Sequence, residues 1–391
     1  MRGRGRGRGG WMGGRSGGMS SGQSAPLPPG SFAMRPPFDL ILCEPMFPKV
    51  KETEDTALTQ VLLKRNTDLT PSPAEQAAVL NLVTKVNSAI EKLIVAPELF
   101  SAAAIEEVRQ VGSFKKGTMM TKHNVADLVV VLKTLPTVEA VNALGNRIVE
   151  DIKSAEPKEV LGCVPRDFGC EIAGTQAVVR LLVSTIPPNL KKLEPDLHLD
   201  SSLVRSHLAA IRHARWFEEN ASHSSVKVLV RLMKDLRNRF AGMRAINIWA
   251  LELLAHYAVM NTPSRQALPI SQAFRRFFQL LSAGIFLPGS AGLVDPCDPS
   301  TRIQSSMTYD QLDLLCSTAQ TLMRVMCHGG FKHMLGLEGS ATVATEMSVW
   351  DGVVVTPLEK AYDPKEMEPL YEDAMQDDSM EEDRAKGGGK A

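Results

Sequence analysis

Apolar residues along this chain switch between two periods. Val79, Leu82, Val83, Val86, Ile90 and Leu93 recur at steps of three and four, which lays one apolar stripe along an α-helix. Just before the stripe, Ser72-Pro73-Ala74-Glu75 is a capping box with proline at the first helical position, so a long amphipathic helix should start there and pack on a sheet. Residues 127–132 and 177–186 are short, β-rich apolar runs and are expected to lie side by side in that sheet. Upstream, Asp39 to Cys43 is a short apolar segment followed by a proline-punctuated loop. Beyond residue 200 the pattern is helical, with periods near 3.6 over 202–219, 226–240, 246–260, 271–284 and 308–328. Thr308 and Gln311 form a second capping box, and Gly329-Gly330 should end the last helix. The expected fold class is α+β: a lobe of mixed sheet with helices, then a helical C-terminal lobe, with a central cleft between them.

Composition adds limits. With 391 residues and 44% hydrophobic content the chain can bury a large core. Residues 1–36, rich in Gly, Ser, Pro and Arg, cannot bury enough to fold alone, and the acidic run from Glu366 to Asp383 reads the same way. The organisation expected is therefore a 1–36 Arg/Gly-rich tail, a 37–200 lobe, a 201–362 helical lobe and a 363–391 acidic tail. Lys+Arg and Asp+Glu are both 44, so net charge selects no partner. Its distribution is informative, because Arg2, Arg4, Arg6 and Arg8 stand without nearby acids and are candidates for contact with nucleic-acid phosphates and bases. No apolar stretch reaches the roughly 18–20 residues of a membrane span, and the N-terminus lacks the apolar core of a signal peptide. The six cysteines, Cys43, Cys163, Cys170, Cys297, Cys316 and Cys327, form no C-x-x-C, which suits reduced thiols in an intracellular protein. The histidines show no metal-ligand spacing, and no Ser/His/Asp or Cys/His arrangement stands out.

The chemistry concentrates in residues 111–132, VGSFKKGTMMTKHNVADLVVVL. Gly112-Ser113 on a tight turn lets backbone N–H groups approach phosphates, and a following Asp-x-Asp on a strand would point two carboxylates to one face to hold Mg²⁺. Here that second element reads Val125-Ala126-Asp127, and an isopropyl group offers a metal no lone pair. The run GS-x-x-KGT followed by ADLVV-x-L resembles the oligoadenylate synthetase group of template-free nucleotidyltransferases. KVLVRLMKDL at 227–236, WALELLAHYA at 249–258, AFRRFFQLL at 273–281 and DPCDP at 295–299 continue the likeness in order. With RHARWFEENAS at 212–222 and the two biased tails, the chain resembles the DZF-domain family most, from about residue 37 to 362.

That resemblance implies a nucleotidyltransferase-like first lobe and supplies site expectations. Aligning VRLLVSTIP at 179–187 puts Leu182 at the third catalytic acid, and no Asp or Glu occurs between Glu171 and Glu194. Val125 and Leu182 are thus two lost catalytic positions, and Asp127 is the carboxylate that remains. Gly112, Ser113, Asp127, Lys234 and Trp249 are the nucleotide-binding candidates. By the resemblance Lys234 contacts the triphosphate and Trp249 lies beside the base. Without it, Lys234 reads as a solvated helix face, Trp249 as core, and Lys115 and Lys116 as loop charges. The stripe of Leu312, Leu315, Ala319, Leu322, Met323 and Met326 is either internal core or a partner seam, with Leu315, Leu322 and Met326 as the interface candidates.

The function expected is a catalytically inactive DZF subunit, localised in the nucleus and also in nucleolus and cytoplasm. It would heterodimerise with a larger DZF subunit carrying double-stranded-RNA-binding modules and act on RNA or DNA through that complex. No cofactor is required, although a pocket remnant leaves room for weak nucleotide with Mg²⁺, and no metal site is expected. The alternatives are an active nucleotidyltransferase with displaced metal ligands and a stand-alone nucleic-acid binder acting through the tail.

Overall fold

A computed structural model describes residues 37–43, 55–337, 348–350 and 353–355, all within one compact unit, 35–391. The four tail arginines and the acidic C-terminal run lie outside the described residues. In chain order, α1 (Leu40–Cys43), α2 (Thr56–Leu69) and α3 (Pro73–Val95) precede the sheet elements. These are β1 (Ile105–Val111), α4 (Gly112–Lys116), β2 (Val125–Leu132), α5 (Val138–Ala155), β3 (Gly162–Arg166), β4 (Gly169–Ala173) and β5 (Val178–Thr185). The helical part follows with α6 (Ser201–Asn220), α7 (Ser224–Arg239), α8 (Ile248–Met260), α9 (Ile270–Ser282), the hairpin of β6 (Val294–Asp295) and β7 (Asp298–Arg302), α10 (Tyr309–Cys327) and α11 (Phe331–Met334). A small hairpin pairs β8 (Ser348–Trp350) with β9 (Val353–Val355). Among the described residues no helix is long and apolar enough to cross a membrane.

Local chemistry explains the helix ends. At α3 the Ser72 hydroxyl accepts from the Glu75 N–H, and the Glu75 carboxylate accepts from the Ser72 N–H, so two of the first turn's spare donors are satisfied reciprocally. The same carboxylate accepts from the Lys122 N–H, which ties the loop before β2 to the start of α3 and holds the acid below the usual carboxylate range. Thr308 and Gln311 cap α10 in the same manner. Beyond its last turn the Gly330 N–H reaches the Val325 carbonyl and the Gly329 N–H reaches that of Met326, with Gly329 at φ 85°, the left-handed residue such a stop requires.

The sheet runs β1-β2-β5-β4-β3, with β2 and β5 parallel and every other pair antiparallel. Both faces are covered. Leu128, Val130, Val179, Leu181 and Val183 pack with the stripes of α3 and α5, while Val129, Val131 and Leu182 pack with Phe168 and with Ala214 of α6. Burial on two sides is why 128–132 and most of 177–186 are apolar without a polar alternation.

Two features depart from expectation. The apolar face of α2 does not join the sheet lobe: Leu58, Leu62 and Leu69 lie in the core of the helical part, and Arg65 clamps Asp235 of α7 through two hydrogen bonds of 2.6 and 2.9 Å. Asp39, before α1, likewise accepts two hydrogen bonds from buried Arg276 of α9. Helical periodicity identifies an apolar face but not the body it packs against. The second departure corrects the seam reading of α10. Leu315, Leu322 and Met326 are internal core, each at most 1% exposed, packed among residues of α8 and α9. A side chain already enclosed by its own chain has no surface to offer a partner.

Candidate functional site

The sheet delivers its one surviving candidate acid to a crowded corner. β1 ends at Val111, across from Asp127 on β2, and the chain turns at once through Gly112 at φ 68°. A Cβ there would collide with the Asp127 carboxylate, so glycine serves both the left-handed turn and the close approach. Gly112 opens the five-residue α4, and Gly117 at φ 69° closes it.

Across the parallel ladder from Asp127 stands Arg180. Its Nε donates to Asp127 Oδ1 at 2.6 Å, with both side chains less than a tenth exposed. Val125, two residues earlier on the strand, pairs with Val178, and Leu182 pairs with Val129 inside the apolar cluster under α6. The ladder therefore sets a guanidinium, not Leu182, beside the remaining acid. The signal for Arg180 is a lone charged residue in the run VVRLLVST, where every other position is apolar or an uncharged hydroxyl. The carboxylate lone pairs that would face a cation face a fixed positive charge.

Near this pair, His207 of α6 donates from Nδ1 to the Val183 carbonyl at 2.7 Å, while its Nε2 has no hydrogen-bond partner. Burial pushes the imidazole down to about 4, against weaker opposing pulls from its hydrogen bond to the Val183 carbonyl and from Asp127. A depressed histidine stays neutral when folded but takes a proton when unfolded. Its stabilisation is therefore complete above about pH 6.5 and is lost as pH falls towards 4, about 3 kcal/mol in all. Urea unfolding between pH 7 and 4 should show this loss, and His207→Gln should flatten it; an unchanged slope in the variant would assign the effect elsewhere.

The basic stripe of α7 turns inward to the Gly-Ser turn. Lys234 is buried and donates from Nζ to Ser113 Oγ at 2.6 Å. Arg231 donates to the Gly117 carbonyl at 2.7 Å and to that of Met119 at 3.2 Å, and the Lys227 ammonium lies beside Gly117. The solvated-face reading of Lys234 is thus replaced by a contact with Ser113. Lys116 is no loop charge either: its ammonium meets Glu252 of α8 at 2.5 Å, both buried, and sits 5.4 Å from the Trp249 ring centroid. Lys115 makes a more exposed pair with Glu218.

Trp249 is 6% exposed. One neighbour is the His213 ring, stacked at 4.0 Å and 10°, and the indole Nε1 donates to Asp295 Oδ2 at 3.1 Å. The indole is enclosed by side chains of its own chain. DPCDP forms the turn between β6 and β7, where Asp295 Oδ1 also accepts from the Cys297 N–H. His213, Asp295 and Cys297 are brought together by the fold although no spacing in the sequence suggested it.

Solved structures share this architecture. The chain resembles CdnC of E. coli MS115-1 in its complex with HORMA-deltaN (14% identity, TM-score 0.51, 71% of this chain and 94% of that one). It also resembles CdnC with ATP (13% identity, TM-score 0.50, 71% and 95%). A cytoplasmic RNA terminal U-transferase matches at 9% identity and TM-score 0.48, over 71% and 98%. The fold is nucleotidyltransferase-like, an α+β architecture of mixed five-stranded sheet and helical C-terminal part. The DZF N-terminal domain matches residues 25–222 and the DZF C-terminal domain residues 225–356, so the chain belongs to the DZF family.

Proposed function

We propose that this DZF protein is a non-catalytic nucleotidyltransferase-like subunit. The observation that supports it most is the Asp127–Arg180 ion pair beside Val125. Template-free transfer relies on carboxylates holding two cations against the nucleotide phosphates, a contribution of several kcal/mol to the transition state, and about 1.4 kcal/mol is a factor of ten in rate. One acid already neutralised by a guanidinium, with valine in place of its neighbour, cannot assemble that arrangement. Lys234 and Arg231 remain turned towards the 113–119 segment, so weak nucleotide binding can outlast catalysis.

The role that remains is assembly. On the family resemblance, the subunit pairs with a larger DZF protein carrying double-stranded-RNA-binding modules, and the complex acts in RNA metabolism and transcriptional regulation in the nucleus. The full-length chain incubated at high concentration with labelled ATP or UTP, an RNA primer and Mg²⁺ or Mn²⁺ should incorporate nothing. Incorporation that disappears in Asp127→Asn would overturn the non-catalytic reading. Affinity capture with mass spectrometry should recover a stoichiometric DZF partner, and capture of the chain alone would remove the assembly role.

A further inference from the structure

We propose that His213, Asp295 and Cys297 form a binding site for one divalent cation of the zinc class, which fastens the helix closing the DZF N-terminal domain to the DPCDP turn of the C-terminal domain. The three ligand atoms lie within 4.8 Å of one another. His213 Nε2 stands 3.4 Å from Asp295 Oδ2, long for an N–H···O hydrogen bond. It matches the roughly 3.3 Å edge that two zinc bonds of about 2.0–2.1 Å subtend in a tetrahedron. A thiolate at about 2.3 Å from the metal would stand about 3.6 Å from that nitrogen, within the 4.8 Å that encloses the three ligand atoms.

The surroundings orient the ligands as a metal site requires. Trp249 donates to Asp295 Oδ2, which retains a second lone pair, and the Cys297 N–H fixes Oδ1. The parallel stack on Trp249 fixes the His213 ring plane. Charge also fits. The nearby Lys116 is matched by Glu252. That leaves the Asp295 carboxylate and, once its proton has passed to solvent as the sulfur–metal bond forms, the Cys297 thiolate: two negative charges for a doubly positive ion. The three ligands leave a fourth position for water.

The test uses the full chain with Co²⁺ and Zn²⁺ as probes. Co²⁺ should produce a near-ultraviolet thiolate-to-metal charge-transfer band saturating at one equivalent and be displaced by Zn²⁺. The band should vanish in Cys297→Ala and persist in Cys327→Ser, which removes an exposed thiol. Zn²⁺ should raise the melting temperature of the wild type and leave that of Cys297→Ala unmoved. Absence of the band in the wild type, its survival in Cys297→Ala, or an equal zinc effect on both melting temperatures would overturn the proposal.

Discussion

Arg180→Ala should destabilise the folded chain by about 3–5 kcal/mol, the scale seen when one partner of a buried ion pair is removed. The loss would come from what is left behind more than from the pair itself. Asp127 is 7% exposed and packed closely under Gly112, so little water reaches its carboxylate. Unpaired, it must either stay charged in a poor dielectric or take up a proton, and both cost stability at neutral pH. Replacing both partners with apolar residues of similar volume, Asp127→Leu with Arg180→Met, should recover most of the loss. Urea denaturation of the single and double variants reads the difference directly. A single variant within about 1 kcal/mol of the wild type would mean that water reaches the carboxylate, and the closed corner would have to be abandoned.

Much of the fold was legible because local chemistry and burial agree. The capping boxes at Ser72 and Thr308, the stop at Gly329 and the stripe of α3 follow from signals within one helix, and the apolar character common to β2 and β5 marks both as buried strands of one sheet. The missing acid at Val125 was equally plain, since it is an identity and needs no geometry. What could not be read depends on pairing across the chain. In strands buried on both faces the alternation that fixes register is erased, so aligning the segment as a string set Leu182 at the third acid while the ladder sets Arg180 opposite Asp127. The docking of α2 on the helical part rests on Arg65 meeting Asp235, 170 positions away. His213, Trp249 and Asp295 sit in three separate segments that looked independent.

Leu322→Glu should prevent stable folding of the chain rather than strip it of a partner. Leu322 is fully buried on α10, inside the cluster that holds Phe274, Phe277 and Phe278 of α9. Truncation alone, Leu322→Ala, removes packed methyl groups and leaves a cavity, worth about 2–5 kcal/mol. Glutamate puts a carboxylate among apolar side chains, where it must be protonated or drag water into the core, so the combined loss approaches the whole stability of a domain, about 5–15 kcal/mol. A change at the rim of the same helix should behave differently: Tyr309 is 68% exposed in its first turn, where an acid favours the helix dipole, and Tyr309→Glu should melt within a few degrees of the wild type. Circular-dichroism melts and size-exclusion profiles separate the two variants. If Leu322→Glu kept the wild-type melting temperature and lost only its partner, α10 would have to be a seam after all, and the core drawn around it would be mistaken.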